Sequence, residues 1–218
     1  MMISFYLDSA DRVIVEPLLQ AGLIAGMTTN PTLLQASGVR NDEIPQLVKW
    51  ATGAGARTVF VQAWGNDADE LERCGRELRA IDERVLVKLP ATAAGLTATA
   101  RLAADDIPVL VTAVYSAAQV LPAIVAGASF IAPYLGRMND AGRDGRAEIA
   151  AMQRVIDASG SPLRILVASL RDPADAVCLA ELGVQEFTLA PAVWQQFFAD
   201  ALTDAAVKVF EQASAAGS

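Results

Sequence analysis

Residues 85–90 read Val85-Leu86-Val87-Lys88-Leu89-Pro90. Three apolar residues in a row, without polar alternation, mark a strand covered on both faces, as in a parallel sheet. Similar runs recur at Ile3–Leu7, Leu23–Met27, Thr58–Ala63, Pro108–Val114, Ser129–Pro133, Leu163–Ala168 and Glu186–Leu189. Ala-rich amphipathic stretches lie between them. The clearest is Asp67–Ile81, where Leu71, Cys74, Leu78 and Ile81 share one face. Asp11, Asn66 or Asp67, and Ser116 stand where helix N-caps belong, and Gly22, Gly55, Gly127 and Gly183 mark the joints. Eight strands in 218 residues leave about 27 residues per unit, short but workable for a (β/α)8 TIM barrel. The rival is a doubly wound open sheet. Its dinucleotide fingerprint is missing: Gly53-Ala54-Gly55-Ala56 lacks the third glycine and precedes a strand. No composition shift marks a boundary, so the reading is one barrel domain over residues 1–218, with a C-terminal helix at about 202–213.

Composition narrows the chemistry. With no histidine, an imidazole acid–base shuttle or a Ser-His-Asp triad is excluded, and proton transfer falls to carboxylates, lysine, tyrosine or water. Two cysteines, Cys74 and Cys178, are too few for a zinc cluster and read as small buried or half-buried hydrophobes. A net charge of −8 argues against a nucleic-acid partner. No apolar run approaches the ~20 residues that span a bilayer, and the start of the chain has no basic region, which points to a cytoplasmic protein without a membrane.

In a barrel, chemistry sits where the strands end. The polar residues expected there are Asp8, Thr28-Thr29-Asn30, Gln62, Lys88, Thr112, Tyr134 with Arg137, and Ser169. Lys88 stands out, because an ammonium in apolar strand text must find a carboxylate or lose its proton more readily. A deprotonated amine is the nucleophile that forms a Schiff base with a ketone. The plainer alternatives are a lysine snorkelling from the strand end or paired structurally with Asp8. Tyr134, and a water held by Gln62 and Thr112, are the natural proton carriers, although each could instead be a hydrogen-bonded strand-end residue. Arg137 and Ser169 suggest a phosphate site, helped by a helix N-terminus after Ser169, with Arg143 and Arg146 as competitors for the role.

Asp8, Thr28-Thr29-Asn30-Pro31, Val87-Lys88-Leu89-Pro90, Thr112-Ala113-Val114-Tyr115, Ala132-Pro133-Tyr134 and Ala168-Ser169 together resemble the transaldolase family, closest to its fructose-6-phosphate aldolase subgroup. The resemblance runs from Tyr6 to about Gln212, with the motifs in the same order. It implies a (β/α)8 barrel whose Lys88 forms a Schiff base with a dihydroxyacetone unit. Asp8, Asn30, Gln62 and Thr112 would form the polar shell, Tyr134 the acid/base, and Arg137 and Ser169 the phosphate hold. It implies sugar-phosphate substrates, no metal or organic cofactor, and a homo-oligomer, a decamer of two pentameric rings locked by the C-terminal helix. Transaldolases in general carry glutamate and phenylalanine where this chain has Gln62 and Tyr134, as in the aldolase subgroup. Leu89, Leu170 and Trp64 depart from the subgroup's usual residues.

The expected activity is therefore class I aldolase cleavage of fructose 6-phosphate to dihydroxyacetone and glyceraldehyde 3-phosphate. A transaldolase moving the same three-carbon unit between sugar phosphates is the alternative. A non-catalytic phosphosugar-binding barrel, with Lys88 as an ion-pair partner, is the remote one.

Overall fold

The computed structural model describes residues 3–216; Met1, Met2, Gly217 and Ser218, including the end of the Ala/Gly/Ser tail, lie outside the described residues. Eight strands, β1 Ser4–Asp8, β2 Gly26–Thr28, β3 Thr58–Gln62, β4 Val85–Pro90, β5 Val109–Val114, β6 Phe130–Pro133, β7 Arg164–Val167 and β8 Glu186–Leu189, close into a barrel in chain order. Every pairing is parallel, and β8 returns to β1 through Ser4↔Glu186 and Tyr6↔Thr188. The helices are α1 Arg12–Gln20, α2 Pro31–Ala36, α3 Ile44–Gly53, α4 Ala68–Arg79, α5 Ala93–Ala104, α6 Val120–Val125, α7 Leu135–Asp140, α8 Gly145–Ser159, α9 Pro173–Ala180, α10 Pro191–Gln196 and α11 Ala201–Ala216. The single (β/α)8 barrel expected from the strand text is the observed architecture, and the open sheet is ruled out by closure.

Capping follows the sequence. Asp11 accepts from Val13 N ahead of α1, and Asp67, rather than Asn66, accepts from Glu70 N ahead of α4. Ser116 caps a 3-10 turn, Ala117–Gln119, that leads into α6. The second strand begins at Gly26 rather than Leu23, which is 53% exposed in the turn after α1, and the C-terminal helix runs to Ala216 rather than about 213. Cys74 is buried and Cys178 half-buried, both as free thiols.

Two apolar layers result. Leu7, Val59, Val87, Val111, Ile131 and Val167 face outward and pack under the helices with residues such as Leu47, Leu102 and Ile149. Tyr6, Phe60, Leu86, Leu110, Phe130 and Leu166 face inward and fill the barrel. Phe60 packs edge-on against both Tyr6 (centroids 5.1 Å apart) and Phe130 (5.6 Å). Below them, at the amino-terminal mouth, Glu186 accepts from Tyr6 Oη (3.1 Å) and from Arg164 Nη1 (2.7 Å). Arg164 also lies 3.9 Å over the Phe130 ring. Burial, and then the charge of Glu186, push the Tyr6 hydroxyl up, and burial pushes the Glu186 carboxyl up against the opposing pull of Arg164. Among the described residues no helix is long and apolar enough to cross a membrane.

Candidate active site

Strand alternation carries the inward face from apolar to polar in one step of two residues. From Tyr6, Phe60, Leu86, Leu110 and Ala132 the next inward positions are Asp8, Gln62, Lys88, Thr112 and Tyr134, at the carboxyl ends of their strands. All of these but Gln62 line a cavity of about 130 Å³, together with Thr28, Asn30, Arg137, Ser169 and Thr188, with Leu110, Ala132, Leu166 and Ala168 as its apolar part. Eight of the nine site residues expected from the sequence line it; Gln62 does not.

Lys88 is 6% exposed, and its Nζ donates to the Thr29 carbonyl at 2.5 Å. Burial pulls its pKa from 10.5 down to about 8, with the charge of Asp8 opposing. It is thus neither a snorkelling lysine nor, among the described residues, one half of an ion pair with Asp8. Asp8 instead accepts from the Thr28 hydroxyl at 2.6 Å. Asn30 caps α2 by accepting from Leu33 N through Oδ1 (3.0 Å), which leaves its amide NH2 as the group available to a ligand.

Tyr134 sits half-buried just past β6, its hydroxyl 2.8 Å from Thr112 Oγ1. Burial raises its pKa, against a lowering hydrogen bond from Thr112, so the phenol stays protonated at neutral pH. Two neighbours hold the ring: Tyr115 edge-on at 5.6 Å and the Arg137 guanidinium 4.9 Å above its face. The approach of β5 to this point depends on a bulge. Ala113 adopts φ +58°, and the pairing shifts between Thr112 and Val114.

Gln62 is oriented by its amide: Nε2 donates to the carbonyls of Ala63 (3.2 Å) and Lys88 (3.1 Å), while Thr112 Oγ1 lies 2.8 Å from Tyr134 Oη. The helix expected after Ser169 follows it at a distance of four residues. The chain passes through Ser169 at φ +59° and α9 begins only at Pro173, where the Asp172 side chain takes the Ala174 amide. Ser169 meets α7 instead: Gly136 N donates to its carbonyl at 2.8 Å. A Cβ at Gly136 would lie 2.5 Å from that carbonyl oxygen, so only glycine permits this approach.

Of the three candidate phosphate arginines, Arg137 lines the cavity. Arg143 donates to the Tyr115 carbonyl (3.0 Å) and Arg146 pairs with Asp175 (2.7 Å). Two further residues escaped the sequence reading, and of these Thr188 alone lines the cavity. Arg171 crosses close to Gly136 and Ser169 and is forked onto Asp140, Nη1 at 2.6 Å from Oδ1. Thr188 lines the cavity from β8 and lies 2.6 Å from Thr28 Oγ1.

Fold and cavity together define a (β/α)8-barrel protein with a convergent polar site at the carboxyl ends of its strands. The chain belongs to the transaldolase/fructose-6-phosphate aldolase family, whose model matches residues 5–218. It is similar to proteins named "Probable transaldolase" in Geobacter metallireducens (33% identical; 94% of this chain, 95% of that one) and Rhodospirillum centenum (36%; 94% and 88%). It is therefore an enzyme of the transaldolase/aldolase type. Among solved structures, a mandelate oxidase variant (TM-score 0.57, 17% identity, 88% of this chain and 64% of that one) shares its fold. So does a flavocytochrome b2 (TM-score 0.61, 12%, 88% and 56%).

Proposed function

We propose that the chain is a class I aldolase that reversibly cleaves fructose 6-phosphate through a Schiff base on Lys88. The observation that carries this reading is the buried Lys88 amine, with its pKa drawn down to about 8 and no carboxylate bound to it, at the floor of a one-sided cavity. Neutral Nζ attacks the C2 ketone, and the carbinolamine loses water to give the iminium. The C3–C4 bond then breaks and its electrons enter the enamine. The C4 hydroxyl loses its proton and becomes the aldehyde oxygen of glyceraldehyde 3-phosphate. Tyr134, kept as a neutral phenol, takes that proton while passing its own to water. Protonation at C3 and hydrolysis release dihydroxyacetone and free Lys88.

The lining supports the division of the substrate, with Lys88 beside Asp8, Thr28 and Thr112 in the same cavity as Arg137 and Ser169. The phosphate would then lie at the mouth, beside Arg137, Ser169 and the amide of Asn30. The second reading is a transaldolase, favoured by the names of the relatives; Gln62 and Tyr134 favour the aldolase. Sodium borohydride with fructose 6-phosphate should add a three-carbon unit irreversibly at Lys88. Free dihydroxyacetone should form without an aldehyde acceptor; turnover only when an acceptor is added, with the three-carbon unit found on that acceptor and no free dihydroxyacetone, would establish the transferase. We also infer a ring-shaped homo-oligomer of five, paired into a decamer, supported by the apolar residues that α11 exposes.

A further inference from the structure

Three hydroxyl and carboxyl groups from three strands form a directed chain at the floor of the site. Thr28 Oγ1 donates to Asp8 Oδ1 at 2.6 Å and stands 2.6 Å from Thr188 Oγ1. A hydroxyl has one proton to give. Since Thr28 gives its proton to Asp8, the proton between the two threonines belongs to Thr188. Both threonines are buried at 2% and 3% exposure, where the cavity they line leaves each little room for other partners. The chain therefore runs Thr188 → Thr28 → Asp8, and it holds the carboxylate turned toward β2. Lys88 meanwhile turns to the Thr29 carbonyl. Two opposite charges lining the same cavity are thus kept apart by separate hydrogen bonds.

We propose that Thr188 is a positioning residue: by committing Thr28 to Asp8 it holds that carboxylate out of an ion pair with Lys88, leaving the amine free to shed its proton. This rests on the Schiff-base reading above. The charged or titratable groups that line the cavity with Lys88 are Asp8 from β1, Tyr134 after β6 and Arg137 from α7. Asp8 is the anion among them, and an ion pair with it would favour the ammonium.

The test is the pH profile of borohydride trapping at Lys88, using dihydroxyacetone as the carbonyl probe. Thr188→Val, which keeps the shape and removes the donor, should move the trapping midpoint up by about one pH unit, a roughly tenfold loss of free amine at neutral pH. Thr188→Ser should restore the wild-type midpoint, and Thr188→Ala should behave like the valine variant should the latter fold poorly. In a Thr28→Val background, Thr188→Val should add nothing, because the link is already cut. Profiles that overlay the wild type, or shifts that add in the double variant, would overturn the proposal. Absence of trapping in the wild type would instead sink the Schiff-base reading itself, so the two failures are distinguishable.

Discussion

At the residue scale, the lysine's setting has a measurable cost. Its amine has a lower pKa in the folded chain, about 8, than the ordinary 10.5, so the unfolded state binds more protons between those values. Stability should therefore rise with pH through that window, and below it a penalty of roughly 3 kcal/mol applies. Lys88→Met should abolish trapping and turnover yet melt higher than the wild type at pH 7. That gain should shrink as pH rises from 8 to 10.5, as thermal melts across the range would reveal. Arg137 makes a different prediction, because its guanidinium lies at the mouth. Arg137→Ala should raise KM for glyceraldehyde 3-phosphate tenfold or more while leaving unphosphorylated glyceraldehyde nearly unchanged, a comparison available from synthesis-direction kinetics. Lys88 was legible because an ammonium interrupts apolar strand text. Thr188 was not, because Phe187-Thr188-Leu189 reads as an ordinary strand and its partner Thr28 lies 160 residues away. Only barrel closure brings them together.

At the element scale, the strands and their caps could be read because helix starts carry their own carboxylates and hydroxyls. What escaped were features that depend on a neighbouring backbone. The bulge in β5 is one: Ala113 at φ +58° carries no sequence mark, since alanine is not a residue that announces a left-handed conformation. Replacing it separates backbone from side chain. Ala113→Gly should fold with stability within about 1 kcal/mol of the wild type, relief of the φ > 0 cost offsetting the extra freedom of the unfolded chain. Ala113→Val should lose about 2 kcal/mol or more, because a β-branched side chain tolerates this region poorly. Denaturant titration measures both. The valine variant should also lose activity beyond its stability loss, since the bulge sets where Thr112 meets Tyr134. The Gln62 amide escaped for a similar reason: it is turned to the carbonyls of Ala63 and Lys88.

At the scale of the whole molecule, α11 is the element its own barrel does not cover. Leu202 is 81% exposed and Phe210 68%, with Val209 and, just before the helix, Phe198 close behind. Apolar side chains exposed on one helix in such number support the interface proposed above. Leu202→Asp combined with Phe210→Asp should convert the proposed ring assembly to smaller species in light scattering, while the barrel keeps its circular dichroism.

The amino-terminal mouth, where Tyr6, Glu186 and Arg164 interlock beneath the inward aromatic residues, has a consequence for traffic. Among the described residues these contacts fill the barrel beneath the site, which leaves the carboxyl ends of the strands as the way in and out. A leaving aldehyde and any incoming partner must use the same opening, so departure precedes arrival. A chamber so built imposes a substituted-enzyme order of events: with a second sugar phosphate supplied as acceptor, initial-rate plots should give parallel lines, and intersecting lines would mean a second way in.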